Sequence, residues 1–322
     1  MKKFEVVSKV TKTIDYNSRR WNKEIIDRYL LKYDDKRIIE CMTIVHMKDD
    51  EPLDLTVELS NMYNCVVGCR FCVSGSLPER HIFLSADDYM RQVETCLEAS
   101  NVKPSDYPKF YIAFTGIGEP SIVKEEIREG IKLIQQKYSN VQVNIATTGF
   151  DSSCFACWNR EDLPIRTLQL PYYSCEANKL KYIVQNLPED YDLGRNIEEA
   201  IKYKDNHELC RVKVNFVVID GINSKDEEIE QMLNYLERFQ DDIVIKVSFL
   251  NYTKKCQEYN LMSPNYDRML EIMVMIKRRG FDCYLFGTEN NTELGCGQLV
   301  QNYISQDDVK DDIKKLSKKY KY

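Results

Sequence analysis

From Leu53 onward, six strand-like segments alternate with helix-like ones, and this pattern limits the possible folds more than any other feature of the chain. The strand candidates are Leu53–Leu59, Phe110–Phe114, Val141–Thr147, Arg166–Leu170, Val212–Ile219 and Val244–Leu250. Amphipathic stretches near Ala86–Glu98, Lys124–Lys137, Asn196–Lys204, Lys225–Phe239 and Asn265–Arg279 carry apolar residues at helical spacing. Strands joined through helices run parallel with right-handed crossovers. The expected class is therefore α/β, a partial (β/α)6 barrel, with an open doubly wound sheet as the runner-up. In both, chemistry collects at the carboxyl ends of the strands.

The spacing divides the chain into a small extension over 1–50, a core over 51–300 and a helical tail over 301–322. In the extension, Trp21 to Leu31 reads as a helix and Arg37 to Val45 as a strand. In the tail, Asp307, Asp308, Asp311 and Asp312 precede Lys314, Lys315, Lys318 and Lys319, an order that suits a helix dipole. With 322 residues and 43% hydrophobic content, the chain is able to bury a large core. No apolar run approaches the roughly 20 residues of a membrane span, and the polar start gives no secretory signal. Twelve cysteines in that setting point to reduced thiols, metal ligands or catalysis in a cytoplasmic protein. The net charge of −6 weighs against nucleic-acid binding through bulk electrostatics, although a local basic groove is compatible with it.

Directly after the first core strand stands Asn64-Cys65-Val66-Val67-Gly68-Cys69-Arg70-Phe71-Cys72. Three thiolates this close wrap one inorganic core, and soft sulfur ligands select an iron–sulfur cluster or zinc. Three ligands leave one iron of a four-iron cube open, which favours catalysis over electron storage. Structural zinc needs a fourth ligand, and the pair Cys154 and Cys157 keeps that alternative open. Thr115-Gly116-Ile117-Gly118-Glu119-Pro120 follows the second strand. It reads either as an ordinary turn or as a backbone cradle in which Glu119 pairs with an ammonium. Thr148 at the end of the third strand and Asn251 after the sixth read equally as turn residues or as contacts to a ribose and an adenine edge.

The Cys-x3-Cys-x2-Cys spacing with an aromatic before the last cysteine resembles the signature of the radical S-adenosylmethionine (SAM) superfamily. The resemblance implies a [4Fe–4S] cluster on Cys65, Cys69 and Cys72, and SAM as a ligand of the open iron. It also implies Phe71 near the adenine, and Gly118, Glu119 and Pro120 at the SAM amino group. An external electron donor of flavodoxin or ferredoxin type is implied as well. Further stretches resemble the RlmN/Cfr group, which methylates an adenine ring carbon in RNA: Arg37-Ile38-Ile39-Glu40, Phe114 to Pro120, Val217-Val218-Ile219-Asp220-Gly221-Ile222-Asn223 and Gly295-Cys296-Gly297-Gln298-Leu299. In that group the cysteine matching Cys296 is methylated by one SAM and then attacks the ring as a carbon radical. The residue matching Glu40 lies near the substrate, which implies a general base; an exposed strand position is the other reading.

The chain also departs from the group. The second catalytic cysteine, seven residues before the first cluster ligand, is replaced by Glu58, and a carboxylate forms no disulfide. The group's Ser-Leu-His-Ala stretch is missing near Leu170-Pro171-Tyr172-Tyr173-Ser174, and Thr288-Glu289-Asn290-Asn291 stands where basic residues are usual. Two enzymatic readings follow. One is an adenine-carbon methyltransferase acting on RNA or a nucleotide. The other is a divergent radical SAM enzyme acting on a peptide, metabolite or nucleotide without a methylated cysteine. A cluster-binding regulator without turnover is a third reading, from a different class.

Overall fold

The structure is a computed structural model that describes residues 4–15, 21–33, 37–77, 83–287 and 298–300. Four antiparallel strands come first: β1 (Glu5–Asp15), β2 (Lys23–Lys32), β3 (Ile38–Lys48) and β4 (Glu51–Leu59). Then follow α1 (Ala86–Ser100), β5 (Phe110–Phe114), α2 (Lys124–Lys137), β6 (Val141–Ala146), α3 (Ser153–Trp158) and β7 (Ile165–Tyr172). The chain continues through α4 (Ala177–Ile183), α5 (Leu193–Asn206), β8 (Arg211–Val217), α6 (Asp226–Leu236) and β9 (Ile243–Ser248). It closes with α7 (Lys254–Glu258), α8 (Tyr266–Arg278) and β10 (Asp282–Phe286). The ten strands form one sheet in chain order, parallel from β4 to β10.

All six core strands expected from the sequence are present. A seventh parallel strand, β10, extends them. Leu55, Val57 and Leu59 on β4, Phe110, Ile112 and Phe114 on β5, and Ile243, Ile245 and Val247 on β9 are buried against the helical layer. Their alternation places Glu58, Lys213, Asn215 and Lys246 on the opposite, concave face, because successive strand residues point to opposite sides. The sheet curls strongly. In a flat sheet β4 and β9 would stand roughly 24 Å apart at the usual strand spacing. Yet Thr253, just after β9, donates its hydroxyl to the carbonyl of Phe71, in the loop after β4, at 2.7 Å. This is the partial barrel.

The expected helix over Trp21–Leu31 is a strand, β2. It lies between β1 and β3 and is buried on both faces from Ile26 to Leu31, so its apolar residues run together instead of alternating. Ile25, Ile26, Tyr29 and Leu30 then happen to fall at helical intervals. The boundary at residue 50 falls in a two-residue hairpin turn. Asp49 and Asp50 adopt φ of 53° and 66°, the left-handed pair that such a turn requires. The first three strands thus extend the core sheet. The 301–322 tail lies outside the described residues. Among those described, no helix is long and apolar enough to cross a membrane.

Candidate functional site

The cysteine loop leaves the carboxyl end of β4 and is fixed at both ends by backbone bonds. The Cys65 N–H donates to Ser74 O at 3.0 Å and the Cys72 N–H to Cys69 O at 3.0 Å. Cys69 forms an antiparallel bridge with Val184, and the Arg70 N–H donates to Ile183 O at 2.9 Å. Gly68 turns the loop with φ +70°; a Cβ there would meet the Asn186 side chain at 2.7 Å. That amide donates to Val66 O at 2.7 Å. The Arg70 guanidinium lies over the rings of Tyr182 and Tyr259, 4.4 and 4.7 Å from their centroids.

The three thiols are half-buried and close enough to act on one another. Burial pushes Cys65, Cys69 and Cys72 upward, and at Cys65 and Cys69 neighbouring thiolate charge adds to it. As bare groups they stay protonated. A cationic iron core reverses that balance, as metal coordination deprotonates thiols. Among the described residues, no three His, Cys, Asp or Glu side chains converge on a single ion. Cys154 and Cys157 are buried on α3 beside Phe155 and Trp158, as core thiols are.

Phe71 is half-buried, its ring 5.6 Å from that of Tyr173 at 54°. Tyr173 was not foreseen as a site residue. It stands in the segment where the sequence departs from the RlmN/Cfr pattern, and its side chain lies near enough to the Cys69 thiol to oppose the upward push of burial. Asn223 fixes the backbone behind it, donating to Tyr173 O at 2.9 Å and Val217 O at 3.0 Å. Cys256 is a second addition. It is buried under the loop with its Sγ 3.7 Å from Phe71 O and 3.4 Å from Asn251 O. Asn251 itself is exposed beside them.

The turn after β5 is a hydrogen-bonded knot. Glu119 Oε1 accepts the Ser121 N–H at 3.0 Å, the Ser121 hydroxyl at 2.8 Å and the Thr147 hydroxyl. Its Oε2 accepts the Thr148 N–H and hydroxyl, both at 3.0 Å. Five donors thus converge on this carboxylate and give it an internal role in shaping the turn. What the turn presents outward is backbone. Gly118 has φ +111°, and a Cβ there would meet the Met62 N at 2.8 Å. Pro120 is buried at the start of the next turn.

Glu40, on β3, also departs from expectation. It is buried and forms an ion pair with the buried Arg28 on β2. Its Oε2 accepts the N–H groups of Leu299 and Val300 at 3.2 and 3.4 Å. Gln298 donates to Tyr252 O at 3.2 Å, next to the Thr253 that grips Phe71. The Gln298–Val300 segment thus spans the barrel mouth from β3 to the loop after β9. Cys296 lies outside the described residues, two positions before it. Glu58 accepts the Thr115 hydroxyl at 2.6 Å. Burial raises its pKa, opposed by that bond and by the charges of Arg28 and Lys246.

No family model matches the chain. It is 24% identical over 260 residues to a probable dual-specificity RNA methyltransferase RlmN of Prochlorococcus marinus, spanning 78% of this chain and 68% of that one. A protein of the same description from Caldanaerobacter subterraneus is 24% identical over 287 residues, spanning 87% and 77%. Among solved structures, a radical SAM methyltransferase from Sphaerobacter thermophilus superposes with a TM-score of 0.72 at 20% identity, covering 92% of this chain and 80% of the other. The chain has the radical SAM fold and is a relative of the RlmN/Cfr-like group.

Proposed function

We propose that the protein is a radical SAM methyltransferase of RlmN/Cfr type that acts on an adenine carbon of RNA or a nucleotide. One observation carries this reading. The Gln298–Val300 end of the Cys-Gly-Gln-Leu stretch is tied to Glu40 and Tyr252, next to the loop that bears Cys65, Cys69 and Cys72. When bound, the cluster and SAM supply a 5′-deoxyadenosyl radical. The three thiols hold the cluster, Phe71 and Asn251 flank the SAM site, and the Gly118–Pro120 turn, shaped by Glu119 and Thr148, offers its backbone to the amino group. Cys296 accepts the methyl group, and Glu40 holds the segment behind it. A reductant of flavodoxin or ferredoxin type delivers the electron. All eleven described cysteines are free, which supports work in the reducing cytoplasm.

A second reading keeps the radical chemistry and drops the methylated cysteine, acting on a peptide, metabolite or nucleotide. Glu58 favours it, since a carboxyl bonded to Thr115 stands where a resolving thiol is required. Anaerobic reconstitution with SAM and reductant separates the two. Methyl transfer yields S-adenosylhomocysteine and a methyl group on Cys296 by peptide mass spectrometry. 5′-Deoxyadenosine with an unmodified Cys296 establishes the second reading.

A further inference from the structure

The loop after β9 reaches across the barrel mouth and holds one peptide of the cysteine loop, the one that joins Phe71 to Cys72. The carbonyl of that peptide accepts the Thr253 hydroxyl at 2.7 Å, and its N–H, that of Cys72, donates to Cys69 O at 3.0 Å. A peptide unit is planar, so bonds at its oxygen and at its nitrogen fix it as a whole. They thereby set where the Phe71 ring and the Cys72 thiol leave the backbone.

Thr253 is itself held in place. It is buried and caps α7, its hydroxyl oxygen accepting the Cys256 N–H at 3.2 Å. The one proton of that hydroxyl goes to Phe71. An aspartate would cap the helix as well but has no proton to give, so the residue type suits both tasks. Behind it, Cys256 is fully buried, with Sγ 3.4 Å from Asn251 O and 3.7 Å from Phe71 O. Cys256 and Leu261 belong to the apolar cluster against which Cys65, Cys69 and Phe71 pack. One residue back along the chain, Tyr252 O accepts the Gln298 amide at 3.2 Å. The same turn thus touches the loop of the three thiols and the segment after Cys296.

We infer that Thr253 is a positioning residue for SAM: its hydroxyl holds the Phe71–Cys72 peptide where the loop must stand to receive the cosubstrate. This rests on the assignment of that loop to the cluster and SAM. It adds a residue that lies outside both the cysteine loop and the Gly118–Pro120 turn.

The test compares four variants with the wild type. Thr253→Val keeps the shape and loses the hydroxyl. Thr253→Asp keeps the cap on α7 and loses the proton, which separates the bond to Phe71 from the folding of the helix. Thr253→Ser keeps the hydroxyl. Leu261→Ala loosens the same apolar cluster and leaves the Thr253–Phe71 bond in place. Each protein is reconstituted anaerobically, assayed for iron and sulfide, unfolded in urea and titrated with SAM by calorimetry.

All five proteins carry the wild-type iron and sulfide, because Cys65, Cys69 and Cys72 are unchanged. Thr253→Val and Thr253→Asp bind SAM about tenfold more weakly than the wild type, the scale of one hydrogen bond lost at a buried carbonyl. Thr253→Ser restores the wild-type affinity. Leu261→Ala unfolds at lower urea, as large-to-small core changes do, and binds SAM as the wild type does. Should Thr253→Val lose its cluster, Thr253→Asp carries the comparison.

Wild-type SAM affinity in Thr253→Asp, equal weakening by Thr253→Ser, equal weakening by Leu261→Ala, or a wild type that binds no SAM overturns the proposal. Iron lost from Thr253→Val and Thr253→Asp alike overturns it too, since Thr253 then serves the fold that holds the cluster. Methylation of Cys296 in the wild-type preparation reports separately on the methyltransferase reading. The Thr253 effect with unmodified Cys296 fails that reading and leaves this one standing. Methylated Cys296 without the Thr253 effect does the reverse.

Discussion

Glu40 Oε2 accepts the backbone N–H of Leu299 at 3.2 Å, joining two residues 259 apart in the sequence. The other oxygen of the same carboxylate pairs with Arg28. One buried side chain thereby ties the second strand of the sheet to the segment that follows Cys296. Glu40→Ala removes the buried carboxylate that pairs with Arg28, and loss of one partner of a buried pair costs about 3–5 kcal/mol. Urea unfolding measures that loss. The methylated fraction of Cys296 falls with it, while iron content after reconstitution stays at the wild-type level.

Glu119 accepts a backbone N–H on each carboxylate oxygen, from Ser121 and from Thr148. In Glu119→Gln the amide nitrogen faces one of those donors whichever way it turns. A buried donor left without an acceptor costs about 1–3 kcal/mol. The variant unfolds at lower urea and binds SAM more weakly, since the turn bearing Gly118 loses its anchor. A titration with SAM beside an unfolding curve measures both.

His46 binds Asp54 through Nδ1 at 2.6 Å and Glu24 through Nε2 at 3.0 Å. Burial alone would lower its pKa, but the two carboxylates outweigh that and raise it to about 9 from the ordinary 6.5. A raised folded-state pKa gives stability that is complete below the unfolded value and is lost as pH climbs through the folded one. Unfolding free energy therefore declines between roughly pH 6.5 and 9 through this residue. In His46→Gln that part of the pH dependence disappears. Urea curves at several pH values across the window measure the difference.

The core strands were legible because their apolar positions alternate and turn signals bound them. The thiol trio was legible because three cysteines crowd one short loop. β2 was not, since burial on both faces erased its alternation. β10 was missed for another reason: it is five residues long and carries Asp282, Tyr284 and Phe286 on its concave side. Function-bearing contacts between distant residues left no local signal. Nothing near Glu40 in the sequence announces Arg28 or Leu299 as its partners. Likewise, Glu119 reads as a residue aimed at a ligand until Thr147 and Thr148 arrive on β6's far end to occupy it. Tyr173 could have been suspected from the broken Ser-Leu-His-Ala pattern, where an aromatic ring now leans on Phe71.

The account stands on Cys65, Cys69 and Cys72 holding a cube with one open iron. Electron paramagnetic resonance of the reconstituted, reduced protein, recorded with and without SAM and paired with iron and sulfide assay, tests this directly. About four irons and four sulfides per chain, a reduced-cluster signal that changes shape when SAM is added, and loss of both in the triple alanine variant are the predicted results. A chain that binds no iron, or a signal indifferent to SAM or retained without the three thiols, would contradict it.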